Sequence, residues 1–453
     1  MGLLERLEIK TEGSDTGRKH LADAIPQKTK EEYDLIRVKA HKEVIERINK
    51  QKNRDITGSD NGADLNRVVR EIIDDAVDLY GDQVNRTEKN RISHDLYDEV
   101  VGLGPLEQLL ADDTISEIMV NGPYQVYIEK QGKLQLSDIK FRDNDHVLNI
   151  IDKIVAPIGR HVDEAVPMVD ARLKDGSRVN VIINPISLTG PVITIRKFSK
   201  IPLTIKDLLG FNSLSFSMAA FMEACVKGRI NIVVSGGTGS GKTTLLNVLS
   251  SFIPSGERII TIEDAAELRL MQQHVITLES RPANLEGRGQ ITIRDLVRNA
   301  LRMRPDRIVV GEVRGGETLD MLQAMNTGHD GSLTTAHANS PRDLLSRLET
   351  MVLMSGMDLP VKAIREQVSS AVDLIIQQTR MADGTRKITG ISEITGMEGD
   401  IIVTQDLFLY ETNGELDENG KIRGKYRATG AVPQFLSKLI TNGVYVDNNW
   451  FSN

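Results

Sequence analysis

The stretch Gly236-Gly237-Thr238-Gly239-Ser240-Gly241-Lys242-Thr243 decides how this sequence is read. It fits G-x-x-x-x-G-K-[ST], and the chemistry needs each part. Glycines without a Cβ let successive backbone N–H groups turn inward around an anion. A helix beginning at Lys242 aims its positive end at the same point. Lys242 supplies a point charge for the β and γ oxygens of a triphosphate, and the Thr243 hydroxyl is placed to hold Mg2+. A chain this long contains such a match by chance on the order of 0.02 times. The context fits as well, with an apolar strand from Ile230 to Ser235 before the loop and a helix from Lys242 to Leu249 after it. Gly236 to Thr244 is therefore the expected site of a nucleoside triphosphate, most simply ATP, with Mg2+.

Binding is not hydrolysis, which also needs a positioned water and a metal held in register. Further along, short apolar strands alternate with helices: Ile259 to Ile262, Ile308 to Val310 and Ser332 to Thr335 are strands, and Thr292 N-caps a helix reaching Met303. Helices between strands imply a parallel sheet covered on both faces. In such a sheet the site lies at the carboxyl ends of the strands, beside the phosphate loop. Two strand ends carry acids there, Glu263-Asp264 after Ile262, and Glu312 after Gly311. His337 follows the fourth strand, and position alone leaves it open between a structural histidine and a sensor of the γ-phosphate. Strand-like runs from Ile388 to Leu409 suggest an added meander.

Upstream the character differs. Residues 1–26 are polar and aperiodic and read as disordered. Three helical stripes follow, through Tyr33, Ile36, Ala40, Val44 and Ile48, then Leu65 to Val77, then Ile92, Leu96 and Val100, which predicts a small bundle over 27–110. Over 111–200 strands at Glu117 to Val120, Gln125 to Glu129, Arg178 to Ile183 and Pro191 to Arg196, with a helix at Asp145 to Ile158, describe an α+β domain. Asn121-Gly122-Pro123 is a turn between its first two strands. Residues 201–210 read as a linker, and 211–453 as the nucleotide-binding domain.

Composition narrows the function further. At 453 residues the chain is long for one core, so two or three domains are expected. A net charge of −8 and the lack of aromatic-basic stretches argue against a nucleic-acid partner. The single cysteine, Cys225, excludes an internal disulfide or a cysteine metal cluster and reads as a buried small hydrophobe. With no apolar run long enough to cross a bilayer, a cytoplasmic protein reaching the membrane through a partner is expected.

Four ordered segments together carry a resemblance. They are Gly236 to Thr244, Thr-Ile-Glu-Asp at 261–264, Arg-Met-Arg-Pro-Asp-Arg-Ile-Val-Val-Gly-Glu-Val-Arg at 302–314, and Asn-Thr-Gly-His-Asp-Gly-Ser-Leu-Thr-Thr-Ala-His-Ala-Asn at 326–339. The chain resembles the type II/type IV secretion ATPase superfamily, and within it the tight-adherence (Flp) pilus assembly ATPases of the CpaF type. The resemblance implies a RecA-like motor domain preceded by a PAS-like domain, assembled as a homohexamer that acts on an inner-membrane pilus platform protein. It implies that Glu263 polarises the attacking water, that Glu312 lies near Mg2+, and that His337 belongs to the histidine box, with Asp264 a secondary candidate. It further implies arginines of the preceding domain that reach the phosphates. Arg178 and Arg196 match best, ahead of Arg160 and Arg172. The alternatives are a motor for protein or DNA export through a type IV secretion channel, a nucleic-acid translocase, and a nucleotide-gated scaffold with little turnover.

Overall fold

The computed structural model describes residues 27–52, 62–81, 84–130, 132–198, 202–283, 288–418 and 420–452. The segment expected to be disordered, 1–26, lies outside them. The chain divides into two compact units, Met1–Lys197 and Phe198–Asn453.

In the first unit, helices α1 (Gln27–Lys52), α2 (Gly62–Tyr80) and α3 (Arg86–Val100) share a core of Ala40, Val44, Val69, Ile73, Ala76, Val77, Ile92 and Leu96. Those residues lie on the three-and-four-residue stripes visible in the sequence, so each helix buries one face. Asn85 starts α3 with a capping box to Glu88. A short helix α4 (Leu106–Ala111) leads into an antiparallel six-stranded sheet. Its strands are β1 (Ile115–Asn121), β2 (Val126–Lys130), β3 (Lys133–Leu136), β4 (Met168–Arg172), β5 (Arg178–Ile182) and β6 (Val192–Arg196), in the order β3-β2-β1-β6-β5-β4. Helix α5 (Asn144–Val155), capped by Asp143, buries Val147, Ile150, Ile151 and Ile154 in the core that also holds Ile118, Val120, Val179, Val181, Ile193 and Ile195. Lys153 of α5 donates to the carbonyls of Glu99, Val100 and Gly102, supplying charge and donors where α3 ends with unsatisfied acceptors.

The second unit begins with α6 (Ile205–Gly210), inside the stretch read as a linker. Thr204 and Asp207 form a capping box there, and Leu208 is buried, so a four-residue signal makes a helix where composition suggested none. Then follow α7 (Phe216–Lys227), β7 (Ile232–Gly236), α8 (Lys242–Ser250), β8 (Ile259–Glu263), β9 (Val275–Glu279), α9 (Ile293–Ala300), β10 (Arg307–Val310), α10 (Glu317–Asn326), β11 (Leu333–His337), α11 (Pro341–Leu353), α12 (Val361–Ala371), β12 (Leu374–Arg380), β13 (Arg386–Glu398), β14 (Ile401–Glu411), β15 (Lys425–Ala428) and α13 (Leu436–Thr441).

These strands form one nine-stranded sheet in the order β15-β14-β13-β12-β7-β11-β10-β8-β9. The expectation of a parallel sheet needs correcting, because the sheet is mixed. From β9 to β12 every pairing is parallel, whereas β12 to β15 is an antiparallel meander. The crossover helix α12 delivers β12 parallel to β7, after which the short connections 381–385 and 399–400 leave β13 and β14 only antiparallel pairing, and β15 returns through 412–424 to extend the meander. Both faces of the sheet are covered. Along β7, Ile232 and Val234 enter one core with Leu245, Leu249 and Phe221, and Val233 enters the other with Val297, Leu322 and Leu348. Strand alternation with apolar residues on both sides makes such a strand read as one continuous hydrophobic run.

At the amino ends of the parallel strands a buried charge closes the sheet. Arg307 is wholly inaccessible, donates to Glu257 at 2.6 Å, and donates to the Gly331 carbonyl at 3.1 Å. An arginine buried this way is tolerable only because its charge is matched and its donors are occupied.

Candidate active site

The carboxyl ends of five neighbouring strands converge. Gly236 on β7 lies opposite His337 on β11 and Gln378 on β12, while Val310 on β10 pairs with Thr334 of β11 and Ile262 of β8. Register alone therefore brings the phosphate loop, His337, Glu312 and Glu263 to one edge of the sheet.

The loop has the backbone its glycines allow. Gly239 and Gly241 adopt φ of +69° and +96°, the left-handed region that costs other residues about 1–2 kcal/mol. Gly241 is the N-cap of α8 and offers no side chain to the first N–H groups of the helix, which leaves them for an anion. Ser240 is buried and donates to the Gly237 carbonyl at 2.9 Å, so its side chain shapes the loop from within. The Lys242 ammonium donates to the same carbonyl at 3.0 Å and stands 3.3 and 3.4 Å from the two ring nitrogens of His337. Burial lowers the Lys242 pKa, with Glu312 acting against that trend. Burial likewise lowers His337, again opposed by Glu312. A neutral imidazole beside the lysine is the arrangement this favours.

Glu312 and Glu263 have opposite surroundings. Glu312 Oε2 accepts two hydrogen bonds from Arg314, at 2.8 and 2.5 Å. Its Oε1 is buried 2.9 Å from His337 Nε2, without the alignment of a hydrogen bond. Glu263 is only 3 % exposed and accepts the backbone N–H groups of Glu267 and Leu268 at 2.9 and 3.1 Å. Burial pushes its carboxyl up to about 7, although those two N–H groups pull the other way. Its side chain crosses Gly311, where a Cβ would sit 2.8 Å from Glu263 Cγ, so the adjacent strand end gives up a side chain to admit the acid. Asp264 accepts from Ser280 at 3.0 Å and lies 3.9 Å from Arg314.

Three residues escaped sequence reasoning. Arg314 stands two positions after Glu312 in the same run and was legible there. Arg380 and Arg386 gave no local signal. Arg386 Nε donates to the Gly239 carbonyl at 3.0 Å, and a Cβ on Gly239 would lie 3.4 Å from an Arg380 terminal nitrogen.

Within the first unit, cross-strand register sets Arg172 opposite Arg178, Arg178 opposite Arg196, and Arg196 opposite Glu117. Directly opposed residues share a face, so residues far apart in sequence form one row of three guanidinium groups. Arg196 Nε donates to Glu117 at 2.9 Å, Arg172 to the Gly176 carbonyl at 3.1 Å. Arg160 stands apart from that row and donates to the Asp170 carbonyl.

Residues 99–414 match the family described as "Type II/IV secretion system protein". A putative conjugal transfer protein of Mycobacterium tuberculosis is 36 % identical over 310 residues, 67 % of this chain and 88 % of that protein. The type IV secretion system protein VirB11 of Brucella abortus is 32 % identical over 320 residues, 64 % of this chain and 88 % of that one. Among solved structures, the VirB11 ATPase of the Brucella suis type IV secretion system, crystallised with sulphate, superposes with a TM-score of 0.35 at 29 % identity, covering 64 % of this chain and 95 % of its own. With its phosphate loop, strand-end acids and histidine all inside the matched segment, the chain belongs to the type II/IV secretion system protein family.

Proposed function

We propose that this protein is a Mg-dependent ATPase, a motor that hydrolyses ATP to ADP and phosphate on behalf of a secretion or pilus machine. The observation that carries the reading is the meeting of Lys242, Glu312 and His337 at the rim of a loop with an uncapped helix N-terminus. In that reading Gly236 to Thr244 bind the triphosphate, Glu263 positions and activates water, and His337 reports the γ-phosphate. Arg178 and Arg196 are proposed on the resemblance to supply positive charge to the phosphates.

The metal fits the donors present. Mg2+ prefers one or two carboxylates with hydroxyl, water and phosphate oxygens, and the orphaned Oε1 of Glu312 is a buried acceptor in want of a partner. Glu312 and Thr243 would hold it. The ion would neutralise charge on the phosphate oxygens.

A homohexamer with a RecA-like motor domain and a PAS-like domain before it is part of the proposal. For the machine served, we favour assembly of a tight-adherence pilus through an inner-membrane platform protein. The names of the relatives, one a conjugal transfer protein and one a type IV secretion protein, support export as a second reading. Among the described residues no helix is long and apolar enough to cross a membrane, so a membrane partner would transmit the motion.

Lys242→Ala tests the site. Turnover should fall to background in a coupled phosphate-release assay with Mg2+, and undiminished hydrolysis would refute the assignment. In a strain lacking the protein, restored piliation against restored export separates the two machines.

A further inference from the structure

The phosphate loop has a neighbour that its own sequence does not announce. Strand β12 runs parallel to β7 with Gln378 opposite Gly236, and then turns back so that Arg386 pairs with Arg380. The turn is tight: Met381 N–H donates to the Thr385 carbonyl at 2.7 Å, and Gly384 takes φ of +84°. The hairpin therefore overreaches the end of β7 and stands beside the loop. There Arg386 Nε donates to the Gly239 carbonyl at 3.0 Å, bridging 147 residues of chain. The packing is close, since a Cβ on Gly241 would lie 3.2 Å from Arg386 Cδ and 3.3 Å from Gln378 Nε2. The loop glycines thus make room for the hairpin as well as for an anion.

Electrostatics adds a second observation. Arg386 makes no ion pair among the described residues. The nearest acid on the turn, Asp383, is engaged elsewhere, accepting from Thr385 and from the Ile422 N–H at 2.7 Å. An uncompensated guanidinium is thus held against a loop built to bind anions, with a neutral carbonyl as its partner. A hydrogen bond to an ionised phosphate is roughly twice as strong as one to a neutral acceptor, and a guanidinium fork matches phosphate geometry.

We propose that Arg386, flanked by Arg380, is a second phosphate-recognising element of this site, which exchanges the Gly239 carbonyl for the phosphate tail of the nucleotide. It is a binding residue supplied by the same unit, and the proposal rests on the ATP reading of the loop.

The test is calorimetric titration of ATP and ADP into the full-length protein and its Arg386→Ala, Arg386→Lys and Lys242→Ala variants, with melting temperatures and steady-state kinetics alongside. Arg386→Ala should weaken both nucleotides about tenfold or more, with an unchanged melting temperature and with KM rising more than kcat falls. Arg386→Lys should recover part of the loss, which a purely structural strap would not show. Arg386→Ala binding ATP as tightly as the unsubstituted chain, or more tightly, while Lys242→Ala does not bind, overturns the proposal and leaves the site reading standing. Lys242→Ala binding like the unsubstituted chain removes the site reading, and this proposal with it.

Discussion

Replacing Glu263 by glutamine should stop the enzyme and stabilise the protein at once. The carboxyl is 3 % exposed at the end of β8, and burial raises its pKa from the usual 4.5 to about 7. At about 1.4 kcal/mol per pH unit, the ionised form costs the folded state about 3 kcal/mol. The sign follows from proton binding. Between 4.5 and 7 the folded protein holds a proton that the unfolded chain has lost, so stability falls as pH rises through this window and the loss is complete above it. Glutamine has no charge to bury, and its amide oxygen can still accept the N–H groups of Glu267 and Leu268. Glu263→Gln should therefore melt higher than the unsubstituted protein at pH 8.5 and alongside it at pH 5. With about 2–4 °C per kcal/mol for a unit of this size, the gain at pH 8.5 is roughly 6–12 °C as an upper estimate. ATP should still bind, and phosphate release should drop to background. Melting curves at the two pH values with equal shifts, or a variant less stable at pH 8.5, would refute the reasoning about burial. Near-normal turnover would remove the water-positioning role. An acid that weakens the fold where it sits is what a poised general base requires, since its pKa must lie near working pH.

Two further outcomes follow from the geometry. Glu312→Gln should bind ATP but lower Mg-dependent turnover on the order of a hundredfold, and a magnesium titration that overlays the unsubstituted protein would contradict the assigned ligand. Gly331→Ala should cost at least about 2 kcal/mol, read as a lower melting temperature. Its φ is +80°, and the new Cβ would lie 1.8 Å from an Arg307 nitrogen that cannot swing away without breaking the buried pair to Glu257. A melting temperature equal to that of the unsubstituted chain would show that the arginine has room to move.

The relation between sequence and site differs from element to element. Glu263 and Glu312 were legible because each follows a short apolar run, and His337 because it closes the fourth strand; an all-parallel stretch of sheet sends every such end to the same edge. Strand β9 was not legible, since Val275–Glu279 is only partly buried and alternates without a continuous apolar signal. Helix α6 was hidden because its capping box is only four residues long and its burial rests on Leu208. In the first unit, Arg178 and Arg196 could be nominated from the resemblance, yet the row they form with Arg172 exists only through antiparallel register.

Spacing along the chain was enough to mark the loop at 236–243, the alternation of strands and helices around it, and the acids and histidine at the strand ends as candidates. Those depend on spacing within a few residues, where backbone geometry leaves little choice. Sheet order and strand register bury Glu263 over Gly311, set Glu312 Oε1 facing His337, and bring Arg386 onto the loop. Each of these joins groups brought together by sheet order and strand register, and a crossover between strands leaves no local mark on the residues it unites.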